Sequence, residues 1–263
     1  MCPTIFTSFT VFVLDKLNMI KNRGAIVVAD PYPFLAGSVA GAAARAAVLP
    51  VDKGAMGPAM AVYRRAPQWG ILYWVYVPMA STALEQRHRP QEKLTAVFLI
   101  GMISGIMMRV LSNPFTAVRE RVTPEKNFSV VAQQLLKDKG VLGFYNQQHP
   151  IMANGFHYGL MFTFFEAIRN FADNHGAPMD NVVTNAACNT VIGTVAAASA
   201  SIISFPYSSM RYQGTLARES AVTRSLTAAV LKEAPQAGIA FGIFSLLMPF
   251  LAPHHGPRCG FGH

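Results

Sequence analysis

Arg45 and Arg109 stand inside otherwise apolar stretches, and the chemistry open to a guanidinium there is the holding of an anion. A cation stranded in hydrocarbon costs ~3 kcal/mol on insertion scales, so membrane-embedded arginines are functional candidates by default. Arg211 is a third basic candidate. The alternative is that Arg45 and Arg109 bind waters, backbone carbonyls, lipid phosphate or nearby acids. Covalent chemistry has no footing. No Gly-x-Ser-x-Gly, His-Glu-x-x-His or Gly-Lys-Ser/Thr sequence occurs, so no enzymatic activity is expected. The tail offers His254, His255, Cys259 and His263, but at no usual zinc spacing, and no metal is expected. Cys2, Cys188 and Cys259 lie far apart and suggest no disulfide framework. Cys188 reads as inert packing in an apolar helix. Trp69, Tyr73, Trp74 and Tyr76 read as an aromatic belt at a membrane interface.

Elements must position these residues, and an internal repeat organises them. Pro50, Pro114 and Pro206 each follow an apolar, small-residue-rich stretch. Thirteen residues before them stand Gly37, Gly101 and Gly193; nine before, Gly41, Gly105 and Ala197; five before, Arg45, Arg109 and Ser201. Steps of four keep a stripe on one helix face. Small residues on that stripe let helix backbones approach closely in lipid, and proline kinks the helix. Between these helices lie candidates at 69–87, 150–171 and 236–252. Amphipathic connecting helices are expected at 128–139, capped by Ser129, and at 217–234.

Composition agrees with a membrane protein. The 263 residues are 52% hydrophobic and 13% charged, against about 25% charged in soluble domains. The net charge of +9 suits an anionic surface or solute. The basic residues are scattered and no nucleic-acid motif occurs, so no nucleic-acid partner is expected. Residues 1–32 read as an N-terminal extension, either a surface-lying helix or an extended arm. Residues 4–14 are apolar but follow no basic segment, so a cleavable leader is not expected. Residues 253–263 form a tail.

The motifs after the prolines resemble the mitochondrial carrier family. That family's odd helices end in Pro-x-Asp/Glu-x-x-Lys/Arg. The chain reads Pro50-Val51-Asp52-Lys53-Gly54-Ala55, Pro114-Phe115-Thr116-Ala117-Val118-Arg119 and Pro206-Tyr207-Ser208-Ser209-Met210-Arg211. Gly140-Val141-Leu142-Gly143-Phe144-Tyr145 is similar to the family's entry into an even helix, and Phe165-Glu166-Ala167-Ile168-Arg169 to its aromatic-acid-x-x-basic exit. The stretch from Phe34 to Pro50 resembles the first helix of adenine-nucleotide carriers.

The resemblance covers 33–252. It implies an all-α membrane fold of six transmembrane helices in three pseudo-repeats (about 33–90, 91–175 and 180–252) around a central cavity, in the mitochondrial inner membrane, with repeat 1 shortened. It implies a matrix-side gate at Asp52, Thr116, Arg119, Ser208 and Arg211, where only the Asp52–Arg119 ion pair survives. It implies a cytosolic gate at Glu85, Glu166 and Arg169, with no acid in the third even helix. Substrate candidates are Arg45, Arg109, Asn154, Gly155 and Phe156. The family's adenine-nucleotide members carry a run of three arginines after the third proline, where this chain reads Ser208-Ser209-Met210-Arg211-Tyr212-Gln213, so ADP/ATP exchange is not expected. Bound cardiolipin or another phospholipid is expected, with no other cofactor. Two functions remain open: a transport-degenerate accessory subunit of a respiratory-chain or ATP synthase assembly, or an active carrier of a small anion.

Overall fold

Small residues at fixed spacing permit close helix pairs, and the chain forms three. The computed structural model describes residues 31–48, 58–85, 90–119, 128–145, 149–177, 181–213 and 222–251. Met1–Pro31 form one unit and Tyr32–His263 a second, which holds every helix described below. In order these are α1 (Tyr32–Val48), α2 (Pro58–Glu85), α3 (Pro90–Arg119), α4 (Phe128–Lys139), a 3-10 turn (Val141–Tyr145), α5 (His149–Asn174), α6 (Val182–Gln213) and α7 (Val222–Leu251). No strand occurs among the described residues.

α1 packs along α2, α3 along α5 and α6 along α7. α2 then touches α3, α5 touches α6 and α7 touches α1, which closes a ring. Each pair is pinned where two glycines meet. A methyl group placed on Gly37, Gly101 or Gly193 would lie 3.2 Å from the Cα of Gly70, Gly159 or Gly238, respectively. At Gly37 it would also stand 2.7 Å from the Trp69 carbonyl oxygen, and at Gly101 3.0 Å from that of Tyr158. Any side chain there must push two backbones apart, so the glycines set the interhelical distance.

The outer surface is apolar, and a minority of polar side chains is buried in a mainly apolar core. Val183, Val191, Val195 and Ile202 on α6 are exposed, as are Leu35, Val39, Met152 and Phe250 elsewhere. Ser104, Asn189, Gln236 and Gln68 are buried. Apolar residues outside and amides inside suit lipid as the surrounding solvent. Gln91–Pro114, Val182–Phe205 and Val230–Leu251 are long and apolar enough to cross a membrane.

Two sequence expectations change. The helices expected at 217–234 and 236–252 are one helix, α7, with Pro235 inside it; neighbouring helices and water satisfy the carbonyl a proline frees in such settings. The helix expected at 69–87 begins at Pro58 and runs through Pro67 and Pro78. α3 continues through Pro114 to Arg119 and α6 runs past position 206 to Gln213, so these prolines lie inside their helices.

The one separate connecting helix among the described residues is α4. It starts at Phe128, which puts Ser129 inside the first turn rather than at the cap. Val131 and Leu135 bury against Val118 of α3, while Gln133, Gln134, Lys137 and Asp138 face outward. Gly140 closes α4 at φ +62°, a left-handed conformation that glycine adopts without strain, and its N–H donates to the Leu136 carbonyl at 3.0 Å. Asn113 donates its side-chain amide to the Phe144 carbonyl at 3.2 Å, tying the end of α3 to the 3-10 turn.

Candidate functional site

α2, α5 and α7 are separated around the ring by α3, α6 and α1, yet their aromatic side chains touch, so they meet in the interior. The glycine pairs give the register. Counting from Gly70, Gly159 and Gly238, equivalent positions are Tyr73, Phe162 and Phe241, then Tyr76, Phe165 and Phe244. All six rings are buried. Three contacts are parallel stacks: Tyr73–Phe244 at 3.8 Å, Tyr76–Phe162 at 3.7 Å and Phe165–Phe241 at 4.3 Å between centroids. Trp69 meets Tyr158 and Phe241 edge-on at 6.3 and 6.2 Å. Trp69, Tyr73 and Tyr76 are therefore a core plug and not an interfacial belt; their i, i+4 and i, i+7 spacing keeps them on the inward face of α2. At this level rings fill the interior in which the resemblance implies a central cavity.

A polar layer lies on one side of the rings. The same register makes Arg65, Asn154 and Glu233 equivalent, and likewise Gln68, His157 and Gln236. A cavity of about 60 Å³ is lined by Arg65 and Trp69 of α2, Asn154, His157 and Tyr158 of α5, and Glu233 and Gln236 of α7, among others. The Arg65 Nη2 stands 3.8 Å from the Glu233 Oε1 and joins α2 to α7. His157 Nδ1 shares a hydrogen bond with Ser204 Oγ of α6 at 3.0 Å. The Asn154 amide donates to the Gly105 carbonyl of α3 at 3.1 Å. Arg65 Nε, Trp69 Nε1 and Gln236 Oε1 are buried without a hydrogen-bond partner. Two donors and one acceptor thus remain open beside a space that fits a few waters or a very small solute, far below the roughly 300–1,000 Å³ of metabolite pockets.

On the other side of the rings lies the acid–base motif of α5. Glu166 and Arg169 are both buried. The register places Val77 and Ser245 at the level of Glu166, and Ala80 and Met248 at the level of Arg169. Arg169 Nη1 donates to Asn189 Oδ1 at 3.0 Å and Nη2 to Asn185 Oδ1 at 3.5 Å, both on α6. Its Nε is 3.9 Å from Asp173 Oδ2. The Asn189 amide also donates to Ser245 Oγ of α7 at 2.8 Å.

The residues named from sequence scatter. Of the substrate candidates only Asn154 lines this cavity. Gly155 packs against Ile106 and the Met102 carbonyl on α3. Phe156 meets Phe98 of α3 edge-on at 6.0 Å. Arg45 is buried on α1 and Arg109 half-buried on α3, and neither is among the lining residues. Asp52 lies outside the described residues. Thr116, Arg119, Ser208, Arg211 and Glu85 lie in described helices, but their side chains are outside the described set. Glu85 is eight residues beyond Val77, the position that matches Glu166.

Arg65, His157, Glu233 and Gln236 are not singled out by the sequence reading. A Glu and a His bordering apolar stretches were visible signals, and the helix boundary drawn at 236 hid Glu233. Cys188 is half-buried and packs against the core, as expected.

Helix α3, the short α4 and helix α5 are a complete helix–connector–helix set, and the comparison with known families falls on that set. No curated protein matches the chain. Residues 90–176 match the family model described as mitochondrial carrier protein. That segment, about a third of the chain, is where its similarity to the mitochondrial carrier family lies.

Proposed function

We propose that the chain is a six-span, three-repeat carrier-fold protein of the mitochondrial inner membrane that no longer exchanges metabolites and serves as a structural subunit of a larger inner-membrane assembly. The family consists of transporters rather than enzymes, and no enzymatic role is assigned. The observation that carries the proposal is the aromatic plug: six rings from three non-adjacent helices, three of the contacts in parallel stacks. Opening a path through it means unstacking buried aromatics, each worth ~0.5–1.5 kcal/mol per pair beyond area burial.

The charge pattern supports the same reading. One matrix-side ion pair of three is encoded, and on the opposite side Val77, Ala80 and Met248 are apolar. A gate needs ion pairs that re-form in each cycle, and most of the charges are missing. The predicted partners are phospholipid and other subunits. The test is native-gel migration of the full chain from gently solubilised mitochondria. Co-migration with a large complex is expected; migration alone, near 28.5 kDa plus detergent, contradicts the subunit role.

A second reading has one observation in its favour. Arg65 Nε and Trp69 Nε1 are open donors beside the cavity, which suits a small anion. In that reading Arg65, rather than Arg45, Arg109 or Arg211, supplies the cation, and Arg65→Ala abolishes saturable uptake.

A further inference from the structure

We propose that the end of the ring where α5, α6 and α7 meet is held shut by a hydrogen-bond bolt, in which Asn189 of α6 stands where an acid from a neighbouring helix would otherwise face Arg169. Arg169 belongs to an acid–base motif, but its level on α2 and α7 carries Ala80 and Met248, so no acid from either helix faces it. The guanidinium turns to α6. Nη1 donates to Asn189 Oδ1 at 3.0 Å, and Asn189 Nδ2 donates to Ser245 Oγ at 2.8 Å. Ser245 Oγ donates to the Phe241 carbonyl at 2.8 Å. Donation thus runs in one direction from α5 through α6 to α7, the arrangement in which successive hydrogen bonds polarise one another.

The amide has no freedom to reverse. Asn189 Nδ2 also donates to Asn185 Oδ1 at 3.0 Å, and Asn185 Oδ1 accepts from Arg169 Nη2 at 3.5 Å. Flipping Asn189 would set its amino group against a guanidinium, donor against donor. Asn189 is fully buried and Arg169 nearly so. Separating the helices would strand a cation and an amide together, without water to replace the lost bonds. An ion-pair gate trades one partner for another during a cycle; this chain of bonds has no second partner set at its level. Asp173 supplies a flanking carboxylate on the same helix as Arg169, so it adds charge without joining helices.

The inference deepens the reading of a closed interior but has its own readout, since a chain that carries no solute could still lack the bolt. The full chain is purified in detergent with Asn189→Leu, Arg169→Met and the double substitution. Asn189→Leu removes the acceptor of Arg169 Nη1 and the link to α7, leaving the guanidinium only Asn185 and Asp173, and is expected to lower Tm by ~5–10 °C, at ~2–4 °C per kcal/mol for chains of this size. The double variant removes both polar partners and is expected within ~3 °C of the parent. Amide exchange in Asn189→Leu is expected to rise ~10-fold in the peptides around Phe165–Asn174, Asn185–Ile192 and Phe241–Met248, with Trp69–Tyr73 unchanged.

Additive losses in the double variant, an unchanged Tm in Asn189→Leu, or a uniform rise in exchange overturn the proposal. If Asn189→Leu does not fold, Ser245→Ala decides. It removes the acceptor of the Asn189 amide on α7 and leaves Arg169 and Asn189 in place, so a Tm ~2–4 °C below the parent supports the bolt, and an unchanged Tm contradicts it.

Discussion

Arg65 and Glu233 show how a single pair acts in this interior. They stand at equivalent positions on α2 and α7 and close across the polar layer at 3.8 Å. Glu233 is nearly half exposed, which keeps the pair modest, on the order of 1 kcal/mol. Arg65→Met alone is expected to lower Tm by ~2–4 °C, and Arg65→Met with Glu233→Leu to recover most of that loss, since two apolar groups replace a separated charge. Thermal unfolding of the three variants checks it; equal, additive losses would contradict a coupled pair. The sequence left these residues unmarked because charge alone carries no depth. Glu233 gains meaning only once α7 is one helix through Pro235 and Gly238 fixes its register. Arg45 and Arg109 were legible as embedded cations, but their depth on α1 and α3 does not bring them to the cavity.

Helix pairing is the part of the fold most legible in the sequence. The glycines chosen for their spacing from proline are those that touch the partner helix: Gly37, Gly101 and Gly193 against Gly70, Gly159 and Gly238. The partner glycines were not legible, because they sit at unequal distances along the chain: 33, 58 and 45 residues after their mates. Relative to the α3–α5 pair, the α6–α7 pair is trimmed as well as the α1–α2 pair. Only α3–α5 retains a separate connecting helix among the described residues, which is the stretch the family model matches.

Two glycine substitutions separate close approach from backbone conformation. Gly101→Val forces atoms to within 3.0 Å of the Tyr158 carbonyl and is expected to cost ~1–3 kcal/mol. Gly140→Ala meets no neighbour but must hold φ +62°, and is expected to cost ~1 kcal/mol. Denaturation in detergent ranks the two, and the reverse order would contradict the packing role of Gly101.

At the scale of the whole molecule, the apolar outer surface and the filled interior belong together. Exposed Val183, Val191, Val195 and Ile202 suit lipid, and the aromatic rings of α2, α5 and α7 close the space between the helices. The aromatic run on α2 resembles an interfacial belt in sequence because belts and plugs share composition; the partners on α5 and α7 distinguish them. Shortening those partners should reopen the interior. Phe162→Ala removes a fully buried ring in contact with Tyr73, Tyr76 and Phe241. It is expected to cost ~3–5 kcal/mol and to let a small fluorescent anion leak from vesicles holding the variant, where the parent retains it. Retention by a folded variant would show that the ring is not the barrier.

The central claim is that rings, not a gated cavity, occupy the middle of this helix ring. It is tested most directly by reconstituting the purified full chain in liposomes of inner-membrane lipid composition and following exchange of labelled metabolite anions. The account predicts uptake no greater than in protein-free vesicles for every solute. Saturable exchange that is lost in Arg65→Ala would contradict it.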